Sequence, residues 1–168
     1  MNIDILKNTL QSLCLEFSKL CNDRKLKLVT AESCTAGLIS GYLTDLPGSS
    51  AYIEGGFVTY SNHMKAKVLG VSEYSLNEFG AVSEQVAREM VQGALNNALM
   101  ANIGVAVTGI AGPEGGSHHK PVGCVWIAVQ RNNKPAIAKK FMFSGNREAV
   151  RLQTVIEAVK LLQYIAQD

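Results

Sequence analysis

The chain has 168 residues, with 16 basic side chains against 14 acidic ones and a formal charge of +2. That balance excludes the strongly basic field of a nucleic-acid binder. No run of 18 apolar residues suggests a membrane span, and the N-terminus lacks the charged-then-apolar pattern of a signal peptide.

Cys14, Cys21, Cys34 and Cys124 show no CxxC spacing and no small secreted scaffold around them. Reduced thiols in a cytoplasmic protein are therefore expected. A chain of this length buries roughly 70% of its unfolded surface, enough for a core of its own. No linker, repeat or low-complexity tract interrupts it, so residues 1–168 read as one domain.

The first element is a helix. Ile3, Leu6, Leu10, Leu13, Phe17 and Leu20 recur at steps of three and four, an apolar seam that can pack on a sheet or on a second copy of the chain. Lys25–Val29 alternates and predicts a strand. Leu38, Ile39, Tyr42 and Leu43 then repeat at helical spacing up to a stop near Asp45-Leu46-Pro47-Gly48. Ile53–Tyr60 alternates as a second strand, and its Gly55-Gly56 pair predicts a bulge or a close backbone approach.

Asn62–Leu69 reads as a short helix stopped by Gly70. Ser83 caps a longer one with Val86, Met90, Val91, Ala94, Leu95 and Ala98 on one face. Ile103–Thr108 is the short apolar run of a central buried strand. A Gly-rich loop from Gly109 to Gly123 follows. Cys124–Val129 and Ala136–Phe143, joined by an Arg131–Lys134 turn, predict an antiparallel hairpin. The last helix starts near Asn146 and buries Leu152, Val155, Ile156, Val159 and Leu162. Strands alternating with helices, plus one hairpin, predict a three-layer α/β/α domain on a mixed sheet.

The chemistry concentrates at Thr30-Ala31-Glu32-Ser33-Cys34-Thr35-Ala36-Gly37, between a strand and a helix. A hydroxyl or thiol at such a corner is placed to attack a carbonyl, with helix-start N–H groups available for an oxyanion. The plainer alternative is that Ser33 or Thr35 caps the helix. Cys34 competes with Ser33 for the site, because a helix N-terminus can lower a thiol pKa, but the two side chains should point apart.

Tyr60 at a strand end and Lys65 in the next helix can both face the carboxyl edge of the sheet. Lysine acts as a base only if its pKa falls from about 10.4 to about 7–8, worth about 4 kcal/mol and requiring burial or a neighbouring cation. A solvated lysine is the competing reading. The Tyr/Lys spacing of five, with no G-x-G-x-x-G after the first strand, disfavours a short-chain dehydrogenase.

Thr108-Gly109-Ile110-Ala111-Gly112-Pro113-Glu114-Gly115-Gly116 lets backbone approach an anion but lacks the Gly-Lys-Ser/Thr of a P-loop. Arg147, with Arg151 one turn on, opens the final helix and suits a phosphate, against the simpler alternative of a salt bridge to a nearby Glu. His118 and His119 lack companions for a metal site and read as loop residues.

Together, Thr30–Thr35, Pro47-Gly48-Ser49-Ser50, Val58–Asn62 with Lys65, Gly80–Ser83, Thr108–Pro113, Lys120–Gly123 and Gly145-Asn146-Arg147 resemble the CinA C-terminal domain family, in order over residues 10–165. The resemblance implies a three-layer α/β/α sandwich on a mixed, mostly parallel five-stranded sheet, and frequent association as a dimer. It also implies deamidation of nicotinamide mononucleotide to nicotinate mononucleotide and ammonia, in pyridine-nucleotide recycling.

Carried over residue by residue, the resemblance makes Ser33 the nucleophile with Tyr60 and Lys65 as partners. It associates Thr108, Arg147 and Ser50 with the site. Arg147 and the Gly112–Gly116 loop are the candidates for the ribose phosphate, with Tyr60 relaying or orienting the proton and no metal or cofactor expected. Ala36 replaces a usual glycine, and Glu114 a common aspartate. The competing function is a catalytically silent nucleotide-binding or regulatory module of the same fold, with Lys65 protonated and exposed.

Overall fold

The computed structural model describes residues 2–167. Helix α1 spans Ile3–Arg24, capped by the Asn2 side chain, which accepts from the Asp4 amide at 2.9 Å. Its deepest stripe is Leu10, Cys14, Phe17 and Cys21, with Leu6, Leu13 and Leu20 only partly buried. The apolar seam is thus rotated from the expected one, because two small thiols serve as core residues. Strand β1 is Leu28–Glu32 rather than Lys25–Val29. Lys25 takes a left-handed conformation (φ 53°) and its amide closes α1, so the alternating Lys25 and Lys27 belong to the connection.

After β1 come α2 (Leu38–Thr44), β2 (Ile53–Val58), α3 (Asn62–Leu69), α4 (Glu73–Glu78) and α5 (Glu84–Asn97). The remaining elements are β3 (Ile103–Gly109), β4 (Cys124–Arg131), β5 (Ile137–Met142) and α6 (Arg147–Ala166). The short α4 was not expected from apolar spacing. It forms because the Ser72 hydroxyl accepts from the Ser75 amide and the Glu89 carboxylate holds the Ser72 amide at 2.7 Å.

The sheet order is β2-β1-β3-β4-β5. Pairs β1/β2 and β1/β3 are parallel, while β3/β4 and β4/β5 are antiparallel, so only β4 runs against the rest. The register slips between Leu28–Ile53 and Val29–Gly55, a bulge at Glu54. A Cβ on Gly56 would lie 2.5 Å from Thr30 Oγ1 and 2.6 Å from Ser40 Oγ, which is the close approach that the glycine pair permits.

Helices α1, α2 and α6 cover one face with Leu28, Ile103, Val105 and Val107. Helices α3, α4 and α5 cover the other with Val29, Ala31 and Ala106. This is the expected three-layer sandwich. Its consequence for function is that β1, β2 and β3 all end at one edge of the sheet, where their loops converge.

Candidate active site

Ser33 is the first residue beyond β1. Its amide donates to Val107 O at 3.1 Å, and the Thr59 amide donates to Glu32 O at 3.0 Å, so the turn is pinned between the ends of β3 and β2. Strand register then places Ser33 between Thr59 and Thr108.

Lys65 reaches Ser33 from α3, whose first turn is set by the Ser61 hydroxyl accepting from the Met64 amide. Lys65 Nζ is 2.9 Å from Ser33 Oγ and donates to Thr59 O at 3.0 Å and Tyr60 O at 3.1 Å. The side chain is 1% exposed, which excludes the solvated-lysine alternative. Burial pushes its pKa below the ordinary 10.5, because the charged form loses water; the nearby Cys34 thiol opposes the shift. Its hydrogen-bond partners are a hydroxyl and two carbonyls, none of them a carboxylate. A neutral amine there can give both hydrogens to the carbonyls and turn its lone pair to the Ser33 hydroxyl.

Neither Ser33 nor Thr35 caps α2. That task belongs to Glu32, fully buried, whose Oε2 accepts from the Gly37 and Ile39 amides, each at 3.0 Å, and from Thr35 Oγ1 at 2.6 Å. Its Oε1 accepts from the Ser40 amide at 3.0 Å. The expectation that helix-start amides serve an oxyanion is therefore corrected: a carboxylate on the opposite face already occupies them. Ala36 and Gly37 turn the chain through left-handed conformations (φ 51° and 96°).

Helix α6 holds two loops. Asn146 caps it, accepting from the Ala149 amide at 2.9 Å. Arg147 Nη1 donates to Gly112 O at 2.8 Å, and Nη2 to the Tyr60 hydroxyl at 3.4 Å. Arg151 Nε donates to Cys34 O at 3.1 Å, and Nη2 to Thr35 O at 2.9 Å. Both guanidinium groups thus engage backbone carbonyls at the site, where a surface salt bridge was the simpler expectation.

Tyr60 meets Lys65 through its carbonyl. The residue is 61% exposed, and its phenol bonds Arg147 rather than the Ser33–Lys65 pair, so a proton relay through the phenol has no contact behind it. The Thr108 hydroxyl is buried and donates to Ala81 O at 2.8 Å. Gly112 (φ 83°) and Gly116 lie under Val122: a Cβ on Gly112 would sit 2.6 Å from Val122 Cγ1, and one on Gly116 2.9 Å from Val122 N.

Ser50 does not join this group. It precedes β2, its carbonyl accepting from Lys27 Nζ at 2.8 Å, and so lies at the opposite edge of the sheet, a strand length or roughly 17 Å away. Cys34 is packed in the core, and burial pushes its thiol up to about 12, the reverse of helix-start activation. Of the two candidates for nucleophile, Ser33 is the one facing Lys65. His118 and His119 are exposed in the loop, and the described residues hold no metal-ligand cluster.

Glu32 is a site residue that sequence reasoning missed, although an acidic residue just before a helix start was a usable signal. Arg151 was read as a companion of Arg147 for a phosphate; nothing local pointed to its carbonyl partners, 117 and 116 positions away.

Residues 10–165 match the model of the CinA C-terminal domain. Nicotinamide-nucleotide amidohydrolase PncC of Enterobacter agglomerans is 48% identical over 147 residues, covering 88% of this chain and 89% of its own. The protein of the same name from Escherichia coli K12 is 46% identical over 153 residues, covering 91% and 92%. The crystal structure of competence/damage inducible protein CihA from Agrobacterium tumefaciens superposes with a TM-score of 0.91 at 42% identity, covering 95% of this chain and 96% of that one. The strand-end serine and buried lysine thus sit in a chain that belongs to the CinA C-terminal domain family.

Proposed function

We propose that this protein hydrolyses the carboxamide of nicotinamide mononucleotide, giving nicotinate mononucleotide and ammonia, in pyridine-nucleotide recycling. One observation carries the reading: Ser33 Oγ lies 2.9 Å from the nitrogen of a lysine 1% exposed and without a carboxylate partner. Relatives that are 46–48% identical carry the name nicotinamide-nucleotide amidohydrolase, which supplies the substrate class.

Neutral Lys65 takes the proton as Ser33 Oγ attacks the carboxamide carbon. The tetrahedral intermediate collapses as Lys65 returns that proton to the leaving nitrogen, releasing ammonia and leaving an ester on Ser33. Water, deprotonated by the same amine, attacks the ester; its proton passes back to Ser33 Oγ and the acid departs. Arg147 and the Gly112–Gly116 loop, joined at Gly112 O, form the wall that receives the ribose phosphate. Tyr60, hydrogen-bonded to Arg147, orients that guanidinium at the mouth.

The test is direct. Incubation of the protein with nicotinamide mononucleotide should release ammonia and nicotinate mononucleotide in equal amounts. Binding of the nucleotide without any ammonia would favour the silent nucleotide-binding module instead.

A further inference from the structure

Attack on a carboxamide leaves a negatively charged oxygen that needs donors, and the obvious ones are taken. The Ser33 amide donates to Val107 O, the Ala36 amide to Ser33 O, and the α2 amides to Glu32. The Thr35 amide has no acceptor among the described residues.

Arg151 fixes where the Thr35 amide points. A trans peptide sets its N–H opposite its C=O, so the Cys34–Thr35 unit, with its oxygen bound by Arg151 Nε, must aim its N–H away from α6. Helix α6 covers one face of the sheet, while Lys65 of α3 meets Ser33 from the other. The Thr35 amide therefore turns toward the nucleophile's side. A cationic partner on the carbonyl also polarises the peptide and strengthens its N–H as a donor. The second bond, Arg151 Nη2 to Thr35 O, locks the following peptide, whose N–H closes the turn on Ser33 O.

The geometry points to Arg151 as a positioning residue that orients and polarises the Thr35 amide as an oxyanion donor of Ser33. This rests on the amidase reading and adds its anion-stabilising half. Arg151 touches no reacting atom: its guanidinium contacts the far side of the peptides.

The experiment compares wild type with Arg151→Ala and Arg151→Lys. Folding is checked by circular dichroism, and kcat, KM and pH profile are measured on nicotinamide mononucleotide. In Arg151→Ala, kcat should fall by roughly tenfold to a hundredfold, less than for outright loss of an oxyanion donor. KM and the acid limb set by Lys65 should stay unchanged, and added guanidinium ion should restore part of kcat. Arg151→Lys, able to serve one carbonyl, should lie between, and it decides the matter if the alanine variant fails to fold.

A readout free of the nucleotide is the rate at which a fluorophosphonate labels Ser33, followed by mass spectrometry. There Ser33 Oγ bonds to phosphorus, fluoride leaves with its electron pair, and the hydroxyl proton passes to Lys65. The same tenfold or greater slowing is expected in Arg151→Ala. Equal labelling and equal kcat in a folded variant would overturn the assignment. So would a loss confined to KM, which marks a phosphate contact, or a displaced acid limb, which marks an effect on Lys65. Wild type that labels at Ser33 yet releases no ammonia would sink the substrate assignment alone.

Discussion

Ser33 Oγ and Lys65 Nζ, 32 positions apart in the chain, stand 2.9 Å apart at the carboxyl edge of the sheet. Loss of either group should remove acyl transfer while sparing the fold. Ser33→Ala deletes a small hydroxyl, and Lys65→Met keeps most of a buried aliphatic stem. Both variants are expected to give native circular dichroism and at least a hundredfold lower ammonia release, about the low end for a positioned acid–base group. Near-full activity in either would remove the proposed mechanism.

Lys65 also predicts two pH dependences. Because burial holds its pKa below 10.5, kcat/KM should rise with pH along a one-proton acid limb centred below that value, and the limb should vanish in Lys65→Met. Stability follows the same shift. Between the folded and unfolded pKa values the unfolded chain holds the extra proton, so stability rises with pH across that window. The burial penalty is fully present below the folded pKa and gone above the unfolded one. Lys65→Met should therefore gain most over wild type at neutral pH, with the gap closing toward pH 10.5. Melting curves across that range check it; a gap independent of pH would mean that folding leaves the Lys65 pKa at its unfolded value.

The sandwich was legible because its strands are short apolar runs and its helices end in real caps: Ser61, Ser83 and Asn146 all accept from the amides their positions predict. The errors have local causes. Lys25 adopts a left-handed cap without being glycine, which moved the first strand three residues. The candidate site was legible as far as the meeting of Ser33 and Lys65 beside neighbouring element boundaries. The rest depends on register. Alternation cannot show that a strand-end glutamate tucks beneath the next helix, nor that the Tyr60 phenol turns to Arg147.

Glu32 is expected to matter for stability before chemistry. Glu32→Ala strands the Gly37, Ile39 and Ser40 amides, each costing about 1–3 kcal/mol if left unpaired. A loss of at least about 3 kcal/mol should lower the Tm by roughly 6 °C or more in a chain of this size. Glu32→Gln keeps the shape but turns an amide NH2 toward existing donors, so it should recover only part of the loss. Thermal melts of both variants test this; an unchanged Tm for Glu32→Ala would show that other groups satisfy the helix.

Cys34 provides a control for the choice of nucleophile. With the thiol pushed up to about 12 and packed in the core, little thiolate exists at neutral pH. Native protein should resist iodoacetamide at Cys34 and keep its ammonia release. Cys34→Ala should stay active at some cost in stability from the small cavity. Abolished turnover in a folded Cys34→Ala would reopen the thiol as nucleophile.

Arg147 separates binding from chemistry. It bonds neither Ser33 nor Lys65 and instead joins Gly112 O to the Tyr60 hydroxyl. A charge-assisted contact to phosphate contributes about 1.5–3 kcal/mol, so Arg147→Ala should raise KM by roughly tenfold to a hundredfold. The drop in kcat should be much smaller, because the nucleophile and its base stay in place. Substrates lacking the phosphate sharpen the point: for nicotinamide riboside, wild type and Arg147→Ala should have nearly the same kcat/KM. A KM for the mononucleotide unmoved by Arg147→Ala would assign the phosphate to other groups and leave Arg147 as a strut between Gly112 and Tyr60.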